Sequence, residues 1–129
     1  MTKNRRAALF LCLSLLAALL ALWASGCGRP KQPLTITAAF PAAGATGVPS
    51  DSAVELTFSA PPEKLDDYFT VEPPVEGRFQ YMDNVVAFLP GLSEAENSRW
   101  EEGTTYTVTV EAGLPGKEST PLAQDFTLS

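Results

Sequence analysis

Few side chains in this 129-residue chain have the chemistry that catalysis or metal binding requires. Histidine is absent, which removes the most common general base and the most common zinc ligand. The sequence also contains no glycine-rich phosphate loop, and no serine or cysteine can be paired with a histidine as an activated nucleophile. These absences predict a protein that is not an enzyme and that uses no cofactor.

Neighbouring aspartates are the only candidates for a metal site. Asp66 and Asp67 carry the oxygen ligands that Ca²⁺ prefers in proteins. A calcium site would also need Asp51 or Asp83, and the spacing of these residues fits no calcium-loop motif. We therefore interpret them as solvated acids in turns and predict no metal site.

Residues 91–103 form the longest irregular and most acidic stretch of the chain. Glu101 and Glu102 resemble the carboxylate pair of a glycosidase in type, but adjacent residues rarely reach the same substrate and no third group converges on them. Trp100 lies among these acids. It is either an exposed binding hot spot or, the interpretation we favour, a side chain that folds back over the open end of the domain.

The residues that end at Cys27 form the most informative motif. A run of eighteen residues, Ala7 to Ala24, contains one polar residue and no charge, follows three basic residues and leads into Ser25, Gly26 and Cys27. This order resembles the bacterial lipobox, in which small residues let a peptidase cleave beside a cysteine that already carries diacylglycerol. The resemblance implies cleavage between Gly26 and Cys27, with lipidation of Cys27. Two acyl chains on one residue are enough to hold a protein stably at a membrane.

Two other interpretations of residues 1–26 stay open. An uncharged run of eighteen residues is near the minimum that spans a bilayer core of ~30 Å, so the segment could remain as an uncleaved anchor. The same order of basic and apolar residues also describes an ordinary secretory signal. Cysteine usage favours lipidation: Cys12 would be removed with the signal, and Cys27 would otherwise be a lone thiol exposed to oxidation.

The predicted mature chain, residues 27–129, is strongly acidic. It holds all fifteen Asp and Glu but only six of the nine Lys and Arg, which leaves a net charge of −9. Such a surface repels the phosphates of nucleic acids and the anionic headgroups of a membrane. We therefore expect no nucleic-acid partner, and we expect the lipid on Cys27 to supply the membrane contact.

Alternation of apolar and polar residues predicts short strands from Leu34 onward. Residues 34–40 and 53–59 each alternate, residues 63–68 are compatible with one helical turn, and a short strand at Phe69 to Val71 ends before two prolines. The inward positions predicted in the first two strands are Leu34, Ile36, Ala38, Phe40, Val54, Leu56 and Phe58.

The second half of the chain continues the pattern. Residues 76–89 read as a hairpin with a turn at Asp83-Asn84. Val85 to Leu89 is apolar on both faces, as in a strand that is covered on each side. Thr104 to Glu111 alternates most regularly, and Asp125 to Leu128 is the last strand. Seven short strands with turns between them predict an all-β, antiparallel β-sandwich.

The order of these segments along the chain resembles a known family. FPAAGATGVPSDSAVELTFS is followed by FTVEPPVEGRF, VAFLP, EGTTYTVTVEAGL and DFTL. This order resembles the bacterial Ig-like domain first described in S-layer proteins. Because it follows a lipobox, it is also similar to the first domain of bacterial alpha-macroglobulin lipoproteins. The resemblance implies an Ig-like sandwich over residues 34–129, after a signal at 1–26 and a tether at 27–33.

Tyr106 is predicted to be a structural residue. It follows Gly103 at the start of its strand and shares the inward parity of Val108 and Val110. A buried phenol must satisfy its hydroxyl, and the nearest groups are backbone atoms of residues 93–103. The placement is typical of a tyrosine corner.

The sequence supports two functions. The first is a lipid-anchored, non-catalytic spacer or binding domain at the cell surface, with a protein or a surface polymer as partner. It would lie on the extracytoplasmic face of the cell membrane, or on the outer membrane if the cell has one. The alternative is the amino-terminal domain of an alpha-macroglobulin-like protease trap. The chain has no Cys-x-Glu-Gln run of the kind that forms the thioester in those proteins.

Overall fold

The computed structural model of this chain describes residues 28–91 and 98–129. The predicted signal segment and the Gly26–Cys27 cleavage position lie outside the described residues. Residues 31–129 form one unit with its own core. In the part of the chain that is described, no helix has the length and apolar character needed to cross a membrane.

Seven strands build two antiparallel sheets, which confirms the predicted all-β sandwich. A four-stranded sheet has the order β1-β2-β5-β4, and a three-stranded sheet has the order β3-β6-β7. The strands are β1 (Ile36–Phe40), β2 (Val54–Phe58), β3 (Phe69–Glu72), β4 (Gly77–Met82), β5 (Val85–Pro90), β6 (Thr107–Val110) and β7 (Phe126–Leu128).

The alternation of apolar and polar residues correctly predicted the buried face of β2, and the β4–β5 hairpin was also predicted. In β2, Val54, Leu56 and Phe58 are at most 5% exposed, whereas the intervening Glu55 is exposed. The predicted hairpin forms from β4 and β5, which are paired from Gly77 opposite Pro90 to Met82 opposite Val85. Alternation therefore correctly placed the buried face of β2, which packs on the opposite sheet, whereas in β4 only Phe79 is partly buried and Tyr81 is 41% exposed.

The core lies between the inner faces of the two sheets, and contacts between aromatic rings connect the sheets across it. The ring of Phe69 on β3 lies 5.0 Å from the rings of both Phe79 on β4 and Phe88 on β5. Loop residues Leu65 and Leu114 are fully buried beside the strands. Such edge-to-face and tilted pairs add to the stabilisation from area burial.

The face predicted for β1 was wrong in its second half. A bulge between Ile36 and Ala38 inserts one residue, so that Ala39 rather than Ala38 pairs with the inward Leu56. Phe40 is then opposite the outward Glu55 and is 62% exposed. A bulge reverses the facing of every residue beyond it, because the side-chain period of a strand is two.

Two other predictions about local structure also need correction. Residues 63–68 do not form a helical turn: a single backbone bond joins Tyr68 N to Leu65 O at 2.8 Å, and the chain enters β3 directly. The strand predicted over residues 104–111 is shorter, since β6 spans only Thr107–Val110. Tyr106 consequently lies just before the strand instead of within it.

The two sheets are closed by a parallel contact between the beginning and the end of the domain. Leu34 N donates to Thr120 O at 2.9 Å, and Gly44 N donates to Ser129 O at 2.6 Å. These two bonds and the parallel bridge between Pro33 and Thr120 hold the beginning of the domain to its last ten residues, with the two segments running in the same direction. The chain enters the domain at the Thr120 end, and β1 carries it to the Ser129 end.

Candidate functional site: a cleft at the Ser129 end

A cleft of about 640 Å³ opens at the end of the sandwich opposite the point where the chain enters. Its walls come from the loop after β1, from the segment before β6, and from the ends of β6 and β7. The lining residues include Pro41, Gly44, Val48, Val54, Trp100, Glu101, Tyr106, Val108, Leu128 and Ser129.

Trp100 forms the aromatic wall of the cleft and folds back on the domain. Its indole Nε1 donates to Ser52 O at 2.7 Å, and its backbone N donates to Ser50 O at 2.9 Å. The ring is partly buried and lies 6.1 Å from Phe88 in the core. The side chain thus joins the acidic segment to the residues before β2, while one edge stays accessible in the cleft.

Tyr106 stands beside Trp100, with the two rings 5.0 Å apart and steeply inclined to each other. Its hydroxyl accepts a hydrogen bond from Glu101 N at 2.9 Å, five residues upstream. The ring is partly buried and packs on the core. This bond closes the turn that leads into β6, which is the geometry of the tyrosine corner in Ig-like sandwiches.

The chemical character of the cleft is aromatic, backbone-rich and acidic. Glu101 and Glu102 are the charged side chains among its lining residues, and both are exposed. Gly44 and Gly47 lie on the opposite wall, within the exposed residues 42–47, and have positive φ values of 75° and 67° that glycine adopts without strain. Such a surface can stack on a ligand and hydrogen-bond to it, with a preference for neutral or cationic groups. The described lining offers no nucleophile-and-base pair.

The structure does not bring the four aspartates singled out from the sequence into a site. Asp83 lies in the β4–β5 turn with φ 55°, where an aspartate is tolerated better than most residues. Within residues 28–91 and 98–129, no cluster of three or more Asp, Glu, His or Cys side chains could hold a metal ion. Cys27, the predicted lipidation site, lies outside the described residues.

Sequence reasoning singled out Trp100 and Tyr106 separately and missed the loop that faces them. Residues 41–48 lie between two predicted strands, and their glycines and proline signal a change of direction without indicating which distant wall they approach. Nothing in residues 41–48 themselves indicates that they form one wall of a cleft.

The strand order and the tyrosine corner define the class of the domain. The arrangement β1-β2-β5-β4 facing β3-β6-β7 is that of a seven-stranded immunoglobulin-like sandwich of the constant type. The chain belongs to the bacterial Ig-like domain family, whose model matches residues 30–129. Domains of this family are typically extracellular or surface-exposed and typically non-catalytic. No curated protein and no solved structure matches the chain at a significant level.

Proposed function

We propose that this chain is a lipid-anchored, non-catalytic Ig-like module that acts as a spacer or binding domain on the extracytoplasmic face of the membrane. The observation that carries the proposal is that the chain entry and the cleft lie at opposite ends of the domain. The chain enters at the Thr120 end, and the cleft with Trp100 lies at the Ser129 end. A lipid on Cys27 would therefore hold the first end near the membrane and present the second end outward.

Dimensions and charge support this orientation. The five residues of β1 alone span about 17 Å along the axis of the domain. Residues 27–30 would be the tether between the lipid and the unit that begins at residue 31, since Gln32 and Pro33 already pair with Thr120. The net charge of −9 after cleavage before Cys27 would keep the acidic surface away from anionic headgroups, so the domain would stand off the bilayer.

The partner we propose for the cleft is a protein or a surface polymer. Stacking on Trp100 and hydrogen bonding to exposed backbone suit an extended, neutral or cationic segment, whereas nucleic acid is disfavoured by the same acidic charge. A spacer role needs no ligand at all, and the two roles share the same anchor.

The anchor is tested by intact-mass measurement of the chain in the membrane fraction of its host. We expect a product that begins at Cys27 and carries the mass of a diacylglyceryl group. Cys27→Ser should abolish both the added mass and the cleavage, while Cys12→Ser, inside the removed segment, should change neither. A membrane-bound product that retains Met1 would contradict the proposal and indicate an uncleaved anchor.

The order of segments directly after a lipobox also supports an alternative, the amino-terminal domain of an alpha-macroglobulin-like protease trap. In that case the trapping chemistry would lie in other domains. The reading frame after Ser129 in genomic DNA separates the two: continuation into further Ig-like repeats supports the alternative, and a stop codon contradicts it.

A further inference from the structure

The outward face of the four-stranded sheet is unusually apolar for a surface that faces solvent. The strand register shows which residues belong to this face, because residues directly opposite each other on neighbouring strands share a face. One row runs from Phe40 through Glu55 and Ala87 to Gln80. The complete outer face consists of Ala38, Phe40, Glu55, Thr57, Val85, Ala87, Leu89, Arg78, Gln80 and Met82.

Large apolar side chains on this face are open to solvent. Phe40 is 62% exposed and Met82 is 45% exposed, and they lie on the two edge strands of the sheet. Between them, Val85 and Leu89 of the central strand β5 are half buried, and Ala87 is 3% exposed beneath its larger neighbours. Thus β5 is apolar on both faces although, in residues 28–91 and 98–129, only its inner face is covered by another strand.

The other sheet shows what a water-facing surface looks like in the same molecule. Its outward row consists of Thr70, Thr109 and Thr127, one from each strand. A row of threonine hydroxyls hydrogen-bonds to water, whereas the other face carries Phe40, Val85, Leu89 and Met82 beside its four polar residues. Exposed apolar groups of this kind are a feature of surfaces that bind a partner.

Charge identifies that partner. The chain from Cys27 onward has a net charge of −9, yet this face carries one acid, Glu55, and one base, Arg78. Both are exposed. The charges on this face sum to zero although the chain is acidic, so two copies can approach through it without strong repulsion.

We infer that the outer face of the four-stranded sheet is a self-association surface, on which a second copy of this chain packs face to face around a twofold axis. Glu55 on β2 and Arg78 on β4 lie on opposite sides of β5, about 10 Å apart across the sheet. An axis over β5 brings Glu55 of each copy onto Arg78 of the other, twice, around the apolar centre formed by Val85, Ala87 and Leu89. Such a self-complementary contact is what a twofold interface requires.

Sedimentation of the purified full-length chain in density-matched detergent tests the association. We expect a concentration-dependent monomer–dimer equilibrium. Phe40→Lys combined with Met82→Lys should weaken it about tenfold or more, since both side chains are exposed and neither supports the fold. The matched control, two lysines at the exposed positions Thr70 and Thr127 of the other sheet, makes the same change in net charge and should leave the dimer intact. A chain that stays monomeric up to about 100 μM overturns the inference.

A charge swap tests the geometry separately. Glu55→Arg and Arg78→Glu should each prevent dimerisation, because each places like charges together in both contacts. An equimolar mixture of the two variants should dimerise with about the affinity of the parent chain, since both contacts then pair opposite charges. Failure of the mixture to associate, or dimers of either variant alone, would contradict the proposed interface. The test does not depend on what the Trp100 cleft binds.

Discussion

At the scale of single residues, Trp100 and Tyr106 each use one polar atom to fasten the acidic segment to the sandwich. Trp100 donates to Ser52 O, and Tyr106 accepts from Glu101 N. Each aromatic ring packs on the core while its polar atom is satisfied by a loop backbone group. The side chains that form the wall of the cleft therefore also stabilise the domain. A substitution there changes both the shape of the cleft and the stability of the domain.

Tyr106→Phe separates these contributions. The variant keeps the ring but leaves Glu101 N without its partner, so we expect a loss of about 1 kcal/mol in the free energy of unfolding, measured by urea denaturation. Tyr106→Ala should cost about 2–4 kcal/mol, because the contact with Trp100 is also lost. Thr105→Ala, an exposed neighbour, should stay within about 0.5 kcal/mol of the parent. Equal stability of Tyr106→Phe and the parent would contradict a structural role for the hydroxyl.

The ionisation of Tyr81 is expected to lower the stability of the domain at alkaline pH. Burial raises the pKa of Tyr81 above its ordinary value of 10.0; the hydrogen bond from Leu65 N opposes this increase, and the nearby negative charge of Asp66 adds to it. The unfolded chain thus loses this proton first, and the stabilisation is complete below about pH 10 and is lost as pH rises through the folded-state pKa. Urea denaturation at pH 9 and pH 11 should show a smaller loss for Tyr81→Phe than for the parent. Equal losses would show that Tyr81 is not the responsible group.

At the scale of elements, Gly77 determines how closely β4 approaches β5. A Cβ atom at this position would lie 2.6 Å from Leu89 O and 2.6 Å from Cζ of Phe88. Gly77→Ala should therefore displace one strand or the Phe88 ring and destabilise the domain by about 1–3 kcal/mol in thermal or urea unfolding. Gly28→Ala is the control, since nothing lies within 4 Å of its added atom. A neutral Gly77→Ala would mean that the Phe88 ring can move aside freely.

A strand or turn could be predicted from the sequence where the residues that determine it are neighbours in the chain. The faces of β2 and the β4–β5 hairpin followed from alternation and from the Asp83-Asn84 turn, which are properties of adjacent residues. The bulge in β1 could not be predicted, because Ala38 and Ala39 are both small and either can face inward. The cleft could not be predicted from the sequence either. Its walls come from segments more than fifty residues apart, and the packing of the whole sandwich brings them together.

At the scale of the whole molecule, the domain should fold without metal or disulfide. Residues 31–129 contain neither Cys nor His, and their described part has a continuous apolar core from both sheets. The fragment 31–129 should melt cooperatively, and its circular dichroism should be unchanged by a chelator. Added Ca²⁺ serves as the reverse control and should not shift the melting temperature. A melt that depends on Ca²⁺ would contradict our interpretation of the aspartates as solvated turn residues.

The parallel contact that closes the sandwich also determines how the domain responds to tension. When the chain is pulled between its entry at residue 31 and Ser129, the two partners of each of these end contacts are drawn in opposite directions. The bonds from Leu34 N to Thr120 O and from Gly44 N to Ser129 O lie across that direction and bear the load together instead of opening one after another. We therefore expect these bonds to resist stretching applied between residue 31 and Ser129.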